Sequence, residues 1–189
     1  MKIGIDIDGV LTDLSRFYLD YGAKFAFENN IEKTLNPNGY EIEEILNLEE
    51  GKHLGFWEKY DDYYTKKTYT REFASEVIQK LKKDGNEIHL ITARNPKEEQ
   101  SENWTTDWLE ENNIYYDKLI FTSKKIEYCK KNSIDIMIED SVKNILEISK
   151  EIPVICFDTR YNKECQGENI TRCYSWYDIY KTITNKANN

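Results

Sequence analysis

The chain has 189 residues, of which 35 are acidic and 26 basic, giving a formal net charge of −9 and a pI near 4.9. That balance argues against a nucleic-acid polymer or an anionic membrane as main partner, and leaves room for a small anionic substrate at a site whose local field opposes the net charge. Mean hydropathy is −0.77, no segment offers the roughly 18 apolar residues that span a bilayer, and Asp6 and Asp8 interrupt any signal-peptide pattern at the N-terminus, which predicts a cytoplasmic protein with no membrane partner.

Lys2-Ile3-Gly4-Ile5-Asp6-Ile7-Asp8-Gly9 comes first. Its β-branched residues predict a buried strand that opens into a loop at Asp and Gly. Asp6 and Asp8 are two apart and share one face of an ideal strand. Two carboxylates at a buried strand exit repel each other, and a cation between them makes them tolerable. The pair suits phosphoryl transfer. One Asp is the nucleophile that forms an aspartyl phosphate, the other passes a proton to the leaving alcohol and takes one from water, and Mg²⁺ screens the charge. The plainer alternative is a solvated β-to-loop exit, where Asp and Gly are common.

Leu14, Phe17, Tyr18, Tyr21, Phe25 and Ile31 then recur at helical spacing. Asn36-Pro37-Asn38-Gly39 is a turn, Ile42, Ile45 and Leu46 suggest a short helix, Gly51 to Gly55 a break, and Phe56 to Tyr60 another helical piece. Asp61 to Thr70 is polar and reads as the return. Residues 14–70 therefore read as a small helical insertion, with 1–13 and 71–189 as the main domain. Its aromatic stripes read as bundle core, with at least one ring facing the site.

From Thr70 helix and strand alternate: a helix over 72–83, a strand over 87–91, and a helix from Pro96 to about Asn112. A strand over 119–121, a helix over 124–131 and a strand over 134–138 follow. Ser141 is the expected N-cap of a helix to Lys150. A fifth strand covers 152–157, an edge strand 170–174, and Ser175-Trp176-Tyr177-Asp178 is a variant capping box for the last helix, ahead of a frayed Asn-rich end. Such alternation implies a parallel sheet flanked by helices, with ligands beyond the carboxyl ends of its strands. Cys129, Cys156, Cys165 and Cys173 lack metal-site spacing and read as free thiols. With only His53 and His89 beside them a zinc site is not expected, and His89 reads as a core residue.

At or just after those strand ends the chain offers Asp-x-Asp, Thr92 within Thr92-Ala93-Arg94, Lys124-Lys125, and Glu139-Asp140-Ser141. This ordered set resembles the four motifs of the haloacid dehalogenase superfamily of phosphatases, over the whole chain. The resemblance implies an α/β fold, a Rossmann-like core with a helical cap at 14–70, and Mg²⁺ as cofactor. It implies Asp6 as nucleophile and Asp8 as acid/base, whose alternative is a structural partner holding the loop. Thr92 would donate its hydroxyl to phosphate, and Lys125 would neutralise phosphate and Asp6, with Lys124 a competitor one residue away. Asp6, Asp140 and the backbone carbonyl of Asp8 would hold the metal, with Glu139, a departure from the usual Gly or Asp, behind them. Gly9 lets the backbone turn and phosphate approach N–H groups. Arg94 either binds phosphate or pairs with a carboxylate at the surface.

The place of the insertion, the run Asp6 to Asp13 and the tail Ile152 to Asn162 are similar to the cytosolic 5′(3′)-deoxyribonucleotidase group and bacterial nucleotidases related to it. That implies hydrolysis of nucleoside monophosphates, with Phe17, Tyr18 and Trp57 as candidate base platforms. A phosphatase of sugar phosphates or another small metabolite is the second reading. A non-catalytic ligand-binding module is the third, and the intact Asp6/Asp8 pair counts against it. The oligomeric state stays open, a homodimer included.

Overall fold

Fully buried strands read as near-continuous apolar runs, and four such runs form the centre of the sheet: β1 (Lys2–Ile5), β2 (Glu87–Thr92), β4 (Ile136–Glu139) and β5 (Val154–Phe157). β3 (Lys118–Phe121) and β6 (Ile170–Cys173) are the edges. The order is β3-β2-β1-β4-β5-β6, and every pairing is parallel. The computed structural model describes residues 1–49, 52, 55–94 and 99–187, without the side chains of 99–102 and 187. The expected break from Gly51, His53, the helix start at Asn95-Pro96 and the last two asparagines lie outside the described residues.

From β1 the chain winds to one side through β2 and β3, then returns to place β4 on the other side of β1. That reversal is a topological switch point, and it opens a crevice above β1. Ile5 is level with Leu90 of β2 and Ile138 of β4. Asp6, Thr92 and Glu139-Asp140 therefore emerge at the same end of three adjacent strands. β1 is shorter than expected: the Asp6 N–H still bonds the Ile138 carbonyl (3.0 Å), but the Ile7 carbonyl accepts from Leu11 and Thr12 N–H in a tight loop (2.9 and 3.0 Å). Strand alternation therefore does not reach Asp8.

Helices cover both faces. Val77, Ile78 and Leu81 of α4 (Ala74–Lys83), Trp108 and Leu109 of α5 (Glu99–Glu111), and Trp176, Ile179 and Ile183 of α8 (Trp176–Ala187) share one apolar cluster with β1. Cys129 of α6 (Lys125–Asn132) and Ile145 and Ile148 of α7 (Val142–Ile148) pack with Ile91, Met137 and Val154 in another. All four cysteines are buried free thiols. His89 is buried between the Tyr128 hydroxyl (3.0 Å) and the Glu87 carboxylate (2.8 Å). At the last helix the Ser175 hydroxyl accepts from the Asp178 N–H, while the Asp178 carboxylate accepts from the Tyr174 N–H.

Between β1 and α4 lie α1 (Leu14–Glu28), α2 (Ile42–Ile45) and α3 (Phe56–Lys67). Their inward residues, among them Phe17, Phe25, Ile42, Leu46, Phe56 and Tyr60, form a third cluster apart from the sheet. α3 runs on to Lys67, where a polar return was expected. Phe56, Tyr60 and Tyr64 at steps of four place three buried rings on one face, and that face holds the helix together. The segment leaves and rejoins the sheet through a two-stranded hinge: Thr12 bridges Thr70, the Asp13 N–H bonds the Tyr69 carbonyl (2.8 Å) and the Arg71 N–H the Leu11 carbonyl (2.7 Å). Ser141 sits at the N-cap of α7 but makes no capping side-chain bond. α7 stops at Ile148, short of Lys150.

Trp108 is buried, and its indole N–H donates to the Thr68 carbonyl (3.1 Å) just past α3. Trp108→Ala should cost about 3–5 kcal/mol of stability, read as a lower urea midpoint.

Candidate active site

The strand ends and the helical segment enclose a cleft of about 460 Å³, lined by Asp6, Asp8, Arg94 and Lys125 at its floor and by Tyr18, Tyr40, Trp57 and Tyr64 from the insertion side. Burying charge is costly unless it is paired, and the floor follows that rule. The Lys125 ammonium bridges Asp6 Oδ1 (2.7 Å) and Glu139 Oε2 (2.8 Å). Lys125 is buried at the start of α6, while Lys124 is exposed and pairs with Glu127 (3.3 Å); the lysine that reaches Asp6 is therefore Lys125. Glu139 Oε1 accepts from the Ser141 N–H (3.2 Å) and the Asn144 amide (3.3 Å).

Asp140 is buried beside this pair. Its Oδ2 accepts from the Tyr161 hydroxyl, and its backbone carbonyl accepts from the Asn162 amide (2.8 Å). Gly9 lies against the same carboxylate. With φ at +86° it sits where side chains are strained, and a Cβ there would fall 1.9 Å from Asp140 Oδ2. Arg71 braces the turn by donating Nε and Nη2 to the Gly9 carbonyl (3.2 and 3.0 Å).

Asp8 faces a different set of partners. Arg94 donates Nε to both of its oxygens (3.1 and 3.0 Å) and Nη2 to Oδ1 (2.7 Å). The Tyr64 hydroxyl donates to Oδ1 (2.7 Å). Of the two roles open to Arg94 from sequence, the structure shows the carboxylate pairing, inside the cleft. Burial opposes ionisation of Asp8, but Arg94 and the Tyr64 bond outweigh it and hold the carboxyl below its ordinary range. Asp6 goes the other way: burial, then the charge of Glu139, push its pKa well up against the pull of Lys125. Asp140 is pushed up to about 7 by burial and Glu139.

Carboxylate oxygens of Asp6, Glu139 and Asp140 all lie within 4.8 Å of one another. Glu139 stands in this cluster where the side chain of Asp8 does not. The contacts described occupy both oxygens of Glu139 but only Oδ1 of Asp6 and Oδ2 of Asp140. An all-oxygen, net-negative donor set with those two oxygens left over fits a hard divalent cation such as Mg²⁺.

Thr92 is buried, and its Oγ1 accepts from the Arg94 N–H (3.1 Å), which leaves its own proton for another acceptor. Tyr18 and Trp57 line the cleft, whereas Phe17 is wholly enclosed and is absent from the lining. Its ring packs on Tyr21 (4.6 Å) and Tyr64 (4.7 Å), so it is core and not a platform. Sequence reading missed Tyr64 and Arg71, which act through contacts more than fifty residues away, Tyr161, which acts from a loop without periodicity, and Asn144, a polar residue of α7 that nothing in the local pattern marks.

Three comparisons bear on the site. The family described as "5′ nucleotidase, deoxy (pyrimidine), cytosolic type C protein" matches residues 1–188. A nucleotidase of Clostridium acetobutylicum is 32% identical over 186 residues, covering 97% of this chain and 93% of the relative. The fold is similar to that of a haloacid dehalogenase-like protein of unknown function from Agrobacterium tumefaciens (TM-score 0.69, 13% identity, 98% of each chain). It is also similar to a D,D-heptose 1,7-bisphosphate phosphatase of Burkholderia thailandensis (TM-score 0.60, 10% identity, 97% of each chain).

The raised carboxyls set a pH dependence for the chelated protein. A folded-state pKa above the unfolded value means that folding takes up protons, so this stabilisation is complete below about pH 4 and is lost as pH rises through about 7. The Tm in EDTA should fall by several degrees between pH 5 and pH 8, and excess Mg²⁺ should flatten that slope. A Tm independent of pH in EDTA would count against raised carboxyls at Asp6 and Asp140.

Proposed function

The chain belongs to the cytosolic type C 5′-nucleotidase family, within the haloacid dehalogenase-like fold, and from that premise we propose that it is a Mg²⁺-dependent phosphomonoesterase acting through an aspartyl phosphate on nucleoside monophosphates. The observation that carries the reading is the convergence of Asp6, Thr92 and Asp140 at the ends of three adjacent strands, joined by Lys125 from the start of α6, beneath an aromatic-walled cleft.

In this reading Asp6 attacks phosphorus and the P–O bond to the alcohol breaks. Asp8, ionised in the arrangement seen here, takes up a proton from solvent before this step and gives it to the leaving oxygen; it then takes one from the water that attacks the aspartyl phosphate, releasing inorganic phosphate and restoring Asp6. Thr92 donates its hydroxyl to a phosphoryl oxygen. Lys125 offsets the Asp6 charge, and Glu139 holds Lys125 in place. Asp6, Asp140 and the Asp8 carbonyl would hold Mg²⁺, which when bound supplies charge neutralisation at the phosphoryl oxygens. A structural neighbour, a D,D-heptose 1,7-bisphosphate phosphatase of B. bronchiseptica, is complexed with magnesium and phosphate.

Residues 14–67 would form the cap, set on the Thr12–Thr70 hinge, with Trp57 and Tyr18 against the base. The cleft volume falls in the range of small-ligand sites. No described helix is long and apolar enough to cross a membrane, and the substrate is read as a small phosphorylated molecule, with a nucleotidase relative favouring a nucleotide over a sugar phosphate.

Asp6→Asn should remove nearly all turnover with the fold retained, and wild-type activity should vanish in chelator and return with Mg²⁺. Near-wild-type turnover of Asp6→Asn would overturn the mechanism. The nucleotide assignment is tested at Trp57. Base stacking of about 1–3 kcal/mol predicts that Trp57→Ala lowers kcat/KM for a nucleoside monophosphate by about ten- to a hundredfold and leaves acetyl phosphate nearly unchanged. Equal losses on both would favour a phosphatase of small metabolites.

A further inference from the structure

Tyr64 lines the cleft, and its hydroxyl stands in a directed chain of hydrogen bonds that ends at Asp8. The Gly9 N–H donates to Thr12 Oγ1 (3.0 Å). Thr12 Oγ1 and the Tyr64 hydroxyl are 2.8 Å apart, and the Tyr64 hydroxyl is 2.7 Å from Asp8 Oδ1. Arg94 and the Tyr64 hydroxyl both donate to Asp8, so in this arrangement the carboxylate accepts. Tyr64 therefore gives its single proton to Asp8, and Thr12 must give its own to Tyr64. A buried phenol needs partners, and these two supply them.

The ring itself is fixed. It is 5% exposed and packs against Phe17 (4.7 Å) and Trp57 (5.8 Å), with the Arg94 guanidinium 5.6 Å from its centroid. Phe56 and Tyr60 on the same face of α3 are buried in the cluster of the insertion. Arg94 grips Asp8 from the loop after β2, in the sheet domain, and Tyr64 grips it from α3.

We infer that Tyr64 is a positioning residue for Asp8: it aims that carboxylate at the leaving oxygen and makes its aim depend on where the helical segment 14–67 sits. The inference rests on the reading of Asp8 as the group that protonates the leaving alcohol. A displacement of α3 about the Thr12–Thr70 hinge breaks the bond to Asp8, so the acid is aligned only with the segment in the place seen here.

The test uses two substrates that differ in their need for a proton. A nucleoside 5′-monophosphate leaves as an alkoxide unless protonated, whereas p-nitrophenyl phosphate leaves as a stable phenolate. Tyr64→Phe keeps the ring and removes only the hydroxyl. Its kcat on the nucleotide should drop by about tenfold, part of the roughly 100- to 10,000-fold that acid–base help supplies, with KM little changed. Its kcat on p-nitrophenyl phosphate should stay within about twofold, because that step draws little on an acid. Tyr64→Leu, which also lacks the hydroxyl, should show the same selectivity, so the test stands even if one variant folds poorly. Equal losses on the two substrates, no loss on either, or a change confined to KM would each overturn the inference. Asp8→Asn measured alongside separates the premise from the inference. If Asp8→Asn shows no preference for the better leaving group, the acid assignment fails. If it does and Tyr64→Phe does not, Tyr64 is only packing.

Discussion

The site depends on one ammonium group held among buried carboxylates. Lys125 sits 2.7 Å from Asp6 and 2.8 Å from Glu139, with Asp140 in the same pocket of charge. Removing one partner from a buried ion pair leaves an uncompensated charge and costs more than the pair contributes. The surroundings are therefore built to hold each member: the Ser141 N–H and Asn144 on Glu139, Tyr161 on Asp140, the Ile138 carbonyl under the Asp6 N–H. One cation does not balance three carboxylates. The imbalance appears as raised pKa values on Asp6 and Asp140, and it gives a divalent ion a reason to bind.

The sheet explains how residues so far apart in sequence reach one place. Parallel strands start and stop in step, so the side chains following β1, β2 and β4 form one layer. Reversal of strand order at β1 keeps helices away from that layer. This was legible in the sequence: Ile3, Ile5, Ile88, Leu90, Ile136, Ile138 and Ile155 mark buried strands, and the functional residues follow the apolar runs. Lys125 against Lys124 was not legible, because a one-residue shift rotates a helix position by about 100°, and only α6 docked on the sheet shows which lysine points in.

Other misreadings share a cause. Ser141 does sit at the N-cap of α7, but its side chain makes no capping bond. Asp61 to Lys67 is polar by composition, yet Tyr60 and Tyr64 tie it into a helix by packing. Phe17 looked as suitable for a base platform as Trp57, because helical periodicity names a buried face without saying how deep each ring lies. Arg94 was expected either on phosphate or with a carboxylate at the surface; it meets Asp8 inside the cleft, across more than eighty residues. Local signals fixed elements and motif order; which polar group meets which was set by contacts of long sequence separation.

Thr12 shows how closely the hinge and the chemistry are joined. Its backbone forms the bridge to Thr70 on which the helical segment is mounted. Its side chain accepts from Gly9, whose turn lies against Asp140, and contacts Tyr64 on the way to Asp8. Thr12 is fully buried, so it has no water with which to replace a lost partner, and an unmade bond there carries the desolvation cost of a buried hydroxyl. Thr12 therefore ties the loop that carries Asp8 and Gly9 to the backbone link on which segment 14–67 is mounted.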